Sequence, residues 1–348
     1  MTSFVTRLTV ATALLASPLL MSAAQAQDDV VNIYSYRQPD LIKPVLDAFT
    51  EETGIPTRVL FINKGLEERV QAEAENSPVD LILSTDISRL VNAKEMGITQ
   101  PVEMDELNTA IPQEYRDEEN NWFGLTRRGR VIYASKDRID TDEMDYADLA
   151  DEKYRGQICI RDAQHSYNLG LFGSLIARWG EEKTEQWMEG LRENLARRPD
   201  GNDRAQAQGI YSGECDLALG NTYYVGLMLT NEKEPEQQDW ANAIKIIFPT
   251  IGEHGTHVNI SGMALAKHAP HPDAAKKLMS FLASDEAQHI YASQVFEYPV
   301  KEGVEPSDVV KGFGELRADD LPLSEVAANR KAASEMVDRV GLNQGPTN

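Results

Sequence analysis

Two short stretches place tyrosine in the same way behind a cysteine. Cys159 leads into Arg161-Asp162-Ala163-Gln164-His165-Ser166-Tyr167-Asn168, and Cys215 leads into Gly220-Asn221-Thr222-Tyr223-Tyr224. In each case a tyrosine, Tyr167 or Tyr223, stands eight residues beyond the cysteine. Both cysteines sit in short apolar, strand-like runs. If those strands are neighbours, the sulfurs meet at one level and the tyrosines converge at the strand ends. A phenolate is a concentrated oxygen anion on a rigid ring, which suits a hard, highly charged cation such as Fe³⁺. Its free pKa is about 10, so the metal must displace a proton and binding weakens at low pH. Tyr223 and Tyr224 fall in the first turn of an expected helix, where the dipole favours phenolate over phenol. Zn²⁺ is poorly served by tyrosine, and Ca²⁺ would call for several carboxylates or carbonyls. The plain alternative is packing, since adjacent tyrosines are common in cores and grooves.

The elements that must position these loops read as two βα series. Val30–Tyr34, residues 58–62 and Val79–Leu83 are expected strands. They alternate with helices over 40–53, from Leu66 to Ala74, and over Ile87–Met96. Leu41, Ile42, Val45, Leu46 and Phe49 recur at helical spacing, and Gly54 and Gly97 are stop signals. A second series follows the Trp122–Ala134 region. It has strands at Gln157–Ile160 and Asp216–Leu219, helices near 168–179 and 184–195, and a helix over Asn202–Ser212. Asn202 and Asn221 are placed as N-caps. Strands at Ile244–Phe248 and His257–Leu265 and helices near 273–283 and 285–292 complete the pattern. Alternation of this kind predicts an α/β fold with a largely parallel sheet covered on both faces. Its ligands belong beyond the carboxyl ends of strands.

Composition narrows the function. Residues 1–26 carry one charge, Arg7, an apolar run from Leu8 to Leu20, and the small-x-small pattern Ala24-Gln25-Ala26. This is the pattern of a secretory signal peptide, and no later segment approaches transmembrane length. The remaining chain is long enough for two lobes. The expected division is 27–126 with 246–300 as lobe 1, 127–245 as lobe 2, and a helical tail over 301–348. A formal net charge of −22 argues against nucleic acid and anionic lipid as partners. In an oxidising compartment Cys159 and Cys215 are expected to pair; the alternative is two buried thiols.

Seven stretches, in order, give the chain a resemblance to a known family. They are Asn76-Ser77-Pro78-Val79-Asp80, Trp122-Phe123-Gly124-Leu125, Arg128-Gly129-Arg130-Val131, Gly201-Asn202-Asp203, Asn221-Thr222-Tyr223-Tyr224, Gly255-Thr256-His257-Val258-Asn259-Ile260-Ser261-Gly262 and Glu297-Tyr298-Pro299-Val300. The chain resembles the periplasmic ferric-binding proteins of ABC-type iron importers, most closely their tyrosine-rich branch. The resemblance implies a two-lobed class II periplasmic-binding fold with a ligand cleft between the lobes. It implies Fe³⁺ as cargo, an ABC permease as partner, a periplasmic location and a monomer. It implies Tyr223, Tyr224 and Tyr167 as iron ligands, with Arg128 approaching the site to offset phenolate charge or hold an anion. The branch offers a His-Tyr pair after the first strand. Here Gln38 and Pro39 stand in those places, within Ser35-Tyr36-Arg37-Gln38-Pro39. The first lobe's contribution is therefore open among Tyr36, the Gln38 amide, a water, and an anion such as carbonate. For Arg128 and Arg130 a strand-edge salt bridge is the other reading.

Several groups invite a structural reading first. His257 belongs to a strand motif, His165 sits near Tyr167, and Asp86 follows the third strand. Asn202 and Asp203 at a helix start are explained by capping. Within the same fold, an organic cation such as a polyamine is the alternative cargo, which would need converging carboxylates and aromatic walls. A hydrolase is disfavoured: there is no Gly-x-Ser-x-Gly, His-Glu-x-x-His or P-loop.

Overall fold

The structure, a computed structural model, describes Met1 and residues 30–347. Residues 2–26 of the expected signal peptide lie outside the described residues. The chain opens with the expected alternation: β1 (Val31–Ser35), α1 (Pro39–Thr53), β2 (Thr57–Phe61), α2 (Leu66–Glu73), β3 (Leu81–Ser84) and α3 (Ile87–Glu95). β1 pairs in parallel with both β2 and β3. α1 buries Ile42, Val45, Leu46 and Phe49, and it ends at Gly54, whose φ of 72° gives the left-handed cap that glycine adopts without strain.

After α4 (Asp105–Ala110) comes the element least visible in sequence, the 13-residue strand β4 (Phe123–Ser135). All but one of its residues are buried, so the two-residue alternation that marks a half-exposed strand is missing. β5 (Ile158–Cys159), α5 (Ser166–Trp179), α6 (Glu181–Glu193), α7 (Asp203–Tyr211), β6 (Leu217–Asn221), α8 (Thr222–Leu229), α9 (Glu236–Asn242) and β7 (Ile244–Ile247) follow. The chain then returns through β8 (Val258–Leu265), α10 (Pro272–Leu282), α11 (Asp285–Ile290) and β9 (Tyr298–Pro299). It closes with α12 (Asp308–Lys311), α13 (Leu323–Ala328) and α14 (Arg330–Val340).

The strands run β2-β1-β3-β8-β4-β6-β5, with β7 and β9 also on β4. Only β2-β1-β3 and β5-β6 are parallel. β8 is antiparallel to β3 and β4, and β4 is antiparallel to β6, β7 and β9. The expectation of a largely parallel sheet is thus corrected to a mixed one. The reason is that β4 and β8 run between the two halves in opposite directions. Phe123–Gly129 of β4 pairs with β8, and Arg130–Ala134 pairs with β6. One core gathers Val31, Ile33, Phe49, Leu81 and Leu278; another gathers Ile158, Leu171, Phe172, Trp187 and Leu217. The tail is helical but not pendant. α14 buries Ala333, Met336 and Val337 in the second core, while α13 lies against both α3 and α5.

Cys159 and Cys215 form a disulfide, Cα to Cα 5.9 Å, with both residues fully buried. The bridge closes 56 residues of chain. On a chain-entropy account it removes up to about 4 kcal/mol of freedom from the unfolded state. The double variant Cys159→Ala/Cys215→Ala is expected to unfold at clearly lower urea with at most that loss. An unchanged midpoint would show that the cross-link contributes nothing to stability.

Candidate metal centre

Parallel pairing of β5 with β6 sets Cys159 opposite Ala218, which brings the two tyrosine loops to one end of the sheet. Tyr167 lies in the first turn of α5, and Tyr223 and Tyr224 in the first turn of α8. The tyrosines converge as expected. The Tyr167 and Tyr223 hydroxyls are 3.3 Å apart, and the Tyr223 and Tyr224 rings stack with centroids 4.3 Å apart. Tyr223 is buried; Tyr167 and Tyr224 are half-buried.

The expected helix-dipole effect does not prevail. Burial pushes the Tyr223 and Tyr224 phenols up, and Tyr167 and Asp203 add to it in both. Desolvation of a charge outweighs the field of a two-turn helix. Tyr223 and Tyr224 therefore stand as neutral phenols at neutral pH.

Across a cleft of about 240 Å³ these tyrosines face Tyr36, Arg37, Gln38, Thr85 and Arg89. Four arginines line it: Arg37, Arg89, Arg161 and Arg204. None of the described lining residues is acidic. In a chain of net charge −22 this is a local inversion of sign. Arg204 lies over the Tyr224 ring at 4.9 Å, and Arg161 and Arg128 over Tyr167 at 5.1 and 5.0 Å.

The remaining residues singled out from sequence fall as follows. Arg128 is buried on β4, donates to the Thr85 carbonyl and reaches Ser261 Oγ at 3.4 Å, so it links the end of β3 and β8 to Tyr167. The salt-bridge reading holds for Arg130, which meets Asp203 at 2.8 Å. Tyr36 forms part of the cleft wall, but its hydroxyl donates to the Glu67 carboxylate and accepts the Leu66 N–H at 3.1 Å, with Arg89 over its ring at 3.6 Å. Gln38 is exposed at the start of α1 and makes no capping bond. His165 caps α5, its Nδ1 accepting the Tyr167 N–H at 3.2 Å. His257 is buried and pushed down to about 3 by burial and by Arg128 and Arg130, so it is neutral and structural. Asp86 caps α3, and Asn202 caps α7. Asn221 stands at the start of α8 but does not cap it; its Oδ1 accepts from Arg130 at 3.1 Å.

Two charged groups were not legible as site residues. Arg37, which lines the cleft, pairs with buried Glu297 at 2.8 Å. Asp203 is fully buried between Arg130 and Arg161. Burial opposes its ionisation, but the two arginines hold its carboxyl below the ordinary range. Asp203 reads as a capping residue in sequence because its partners lie 18 to 73 positions away.

Comparison with known proteins agrees with this architecture. Residues 76–312 match the model of the bacterial extracellular solute-binding protein family. Iron uptake protein A1 of Synechocystis is 37% identical over 342 residues, 95% of each chain. Among solved structures, apo ferric ion-binding protein A of Pasteurella haemolytica is 46% identical with a TM-score of 0.87, covering 90% of this chain and 98% of that one. The Trichodesmium protein solved with iron and citrate is 38% identical with a TM-score of 0.84, covering 90% and 99%. No helix among the described residues is long and apolar enough to cross a membrane. With a family match over most of its length and relatives spanning nearly all of it, the chain belongs to the bacterial extracellular solute-binding proteins.

Proposed function

We propose that this protein captures ferric iron in the periplasm and delivers it to an ABC permease. The observation that carries this reading is the convergence of Tyr167 and Tyr223 to 3.3 Å with Tyr224 stacked beside them. Three phenolates make a hard, anionic oxygen set for Fe³⁺. Names of the relatives, iron uptake protein and ferric ion-binding protein, support the same cargo. The arginines offset phenolate charge and leave room for an oxygen anion beside the metal. Carbonate or a small polycarboxylate fits that chemistry, and iron with citrate in the Trichodesmium relative supports it. A polyamine is disfavoured, because four arginines and no carboxylate would repel it.

On the first lobe, Tyr36 joins the metal only by exchanging its bond to Glu67. An anion held by the arginines, or the Gln38 amide, fills that place otherwise. Arg128 acts on Tyr167 as a fixed positive charge. The lobes close by hinge motion, exchanging an open iron-free form for a closed iron-bound one. The protein works as a monomer.

The test is a visible titration of the mature protein with a soluble ferric chelate. An intense phenolate-to-iron charge-transfer band saturating near about one iron per chain is expected. No band, with no iron retained after desalting, would remove the ferric reading.

A further inference from the structure

Asp203 joins the two tyrosine-bearing loops through a closed circuit of buried polar contacts. Its Oδ2 accepts the Asn221 N–H at 2.8 Å, at the last residue of β6 and two positions before Tyr223. Its Oδ1 accepts from Arg161 at 3.0 Å, whose guanidinium lies over the Tyr167 ring at 5.1 Å. Arg130 Nη1 is shared between Asp203 Oδ2 at 2.8 Å and Asn221 Oδ1 at 3.1 Å. Arg130 Nη2 reaches Asn168 Oδ1 at 2.7 Å, beside Tyr167, and Asn168 Nδ2 returns to the Arg161 carbonyl at 3.1 Å. Asp203 and Asn168 are wholly buried, and Asn221, Arg130 and Arg161 nearly so.

We propose that Asp203 is the positioning residue of the metal centre, the single carboxylate that sets the Tyr167 loop in register with the Tyr223-Tyr224 turn. This rests on the reading of those tyrosines as iron ligands. Asp203 does not line the cleft and acts through its partners. Between two buried arginines it also leaves one net positive charge behind the tyrosines rather than two. A neutral residue there would remove the ionic hold on Arg130 and Arg161 and leave at most one side-chain oxygen where the carboxylate now accepts from Arg161, Arg130 and the Asn221 N–H. Buried ionic networks of this kind fix geometry, because removing one member leaves the others unpaired.

The experiment compares wild type, Asp203→Asn, and Arg161→Gln, which keeps the Asp203–Arg130 contact. Iron affinity is measured by competition with a chelator, alongside the charge-transfer spectrum. Ring resonances of Tyr167 and Tyr223 are followed by NMR in the iron-free protein. Asp203→Asn is expected to bind iron about 10- to 100-fold more weakly, as for other groups that orient ligands, with a shifted band and with both tyrosines displaced. Arg161→Gln is expected to displace Tyr167 more than Tyr223. Unchanged ring resonances and affinity in a folded Asp203→Asn would overturn the positioning role. If wild type itself shows no band, the ferric reading fails, and the iron-free ring resonances still decide whether Asp203 holds the two loops. If Asp203→Asn does not fold, Arg161→Gln decides, and equal displacement of both tyrosines or of neither counts against the proposal.

Discussion

Replacing Tyr223 by phenylalanine is expected to weaken ferric binding by more than about 100-fold, since even groups that merely orient ligands cost 10- to 100-fold. Tyr223 is the most buried of the three tyrosines, and its hydroxyl is the one that meets Tyr167. The variant keeps the ring, so the stack on Tyr224 and the packing against Phe296 survive and the loss reports the oxygen alone. Tyr224→Phe is expected to behave similarly, with a weaker band of altered energy. The pH dependence has a definite sign. Burial raises both phenols above their ordinary value, so they are protonated in the iron-free protein. Iron must release those protons, and affinity falls as pH falls, by about tenfold per pH unit for each tyrosine deprotonated. If both single variants retain full affinity, or if binding is indifferent to pH, the tyrosines are not the ligands.

Glu297→Ala is expected to destabilise the fold by about 3–5 kcal/mol, the usual cost of leaving a buried charge without its partner. Arg37 is 5% exposed and Glu297 1%. Arg37 donates to both carboxylate oxygens at 2.8 Å, and Ser261 and Thr126 add hydroxyl donors. Burial opposes ionisation of Glu297, but Arg37 and Arg128 hold its carboxyl below the ordinary value. The stabilisation is therefore complete above the unfolded carboxyl's pKa and is lost as pH falls through the folded one. Urea unfolding should show a large gap between wild type and Glu297→Ala at neutral pH that narrows in acid. The double change Arg37→Met/Glu297→Leu should recover most of the loss, because it removes both charges. Equal midpoints for wild type and Glu297→Ala at neutral pH would refute the account.

What could be read from sequence was what depends on near neighbours. The eight-residue offsets from cysteine to tyrosine are local, and two neighbouring parallel strands turn equal offsets into convergence. The first three strands and helices follow from hydrophobic spacing and glycine stops. β4 was hidden because it is buried on both faces while carrying Arg127, Arg128 and Arg130, so it shows neither a two-residue alternation nor an unbroken apolar run. Which of its two readings each arginine follows was not legible, because the partners are distant in sequence: Arg130 found Asp203, whereas Arg128 found a backbone carbonyl and a tyrosine face. Local rules also misplaced Asn221, whose side chain serves Arg130 rather than the helix it begins. The dipole argument for phenolate failed because it counted the helix and not the desolvation.

The position of β8 has a consequence for the unfinished chain. Val258–Leu265 lies between β3 and β4, pairing with both. A chain that ends before it has made neither pairing. β3 and the first half of β4 would then each present a row of free backbone N–H and C=O groups, open templates for a strand from another molecule. One late segment closes both edges at once, so self-association is guarded against by residues that arrive after most of the protein has been made.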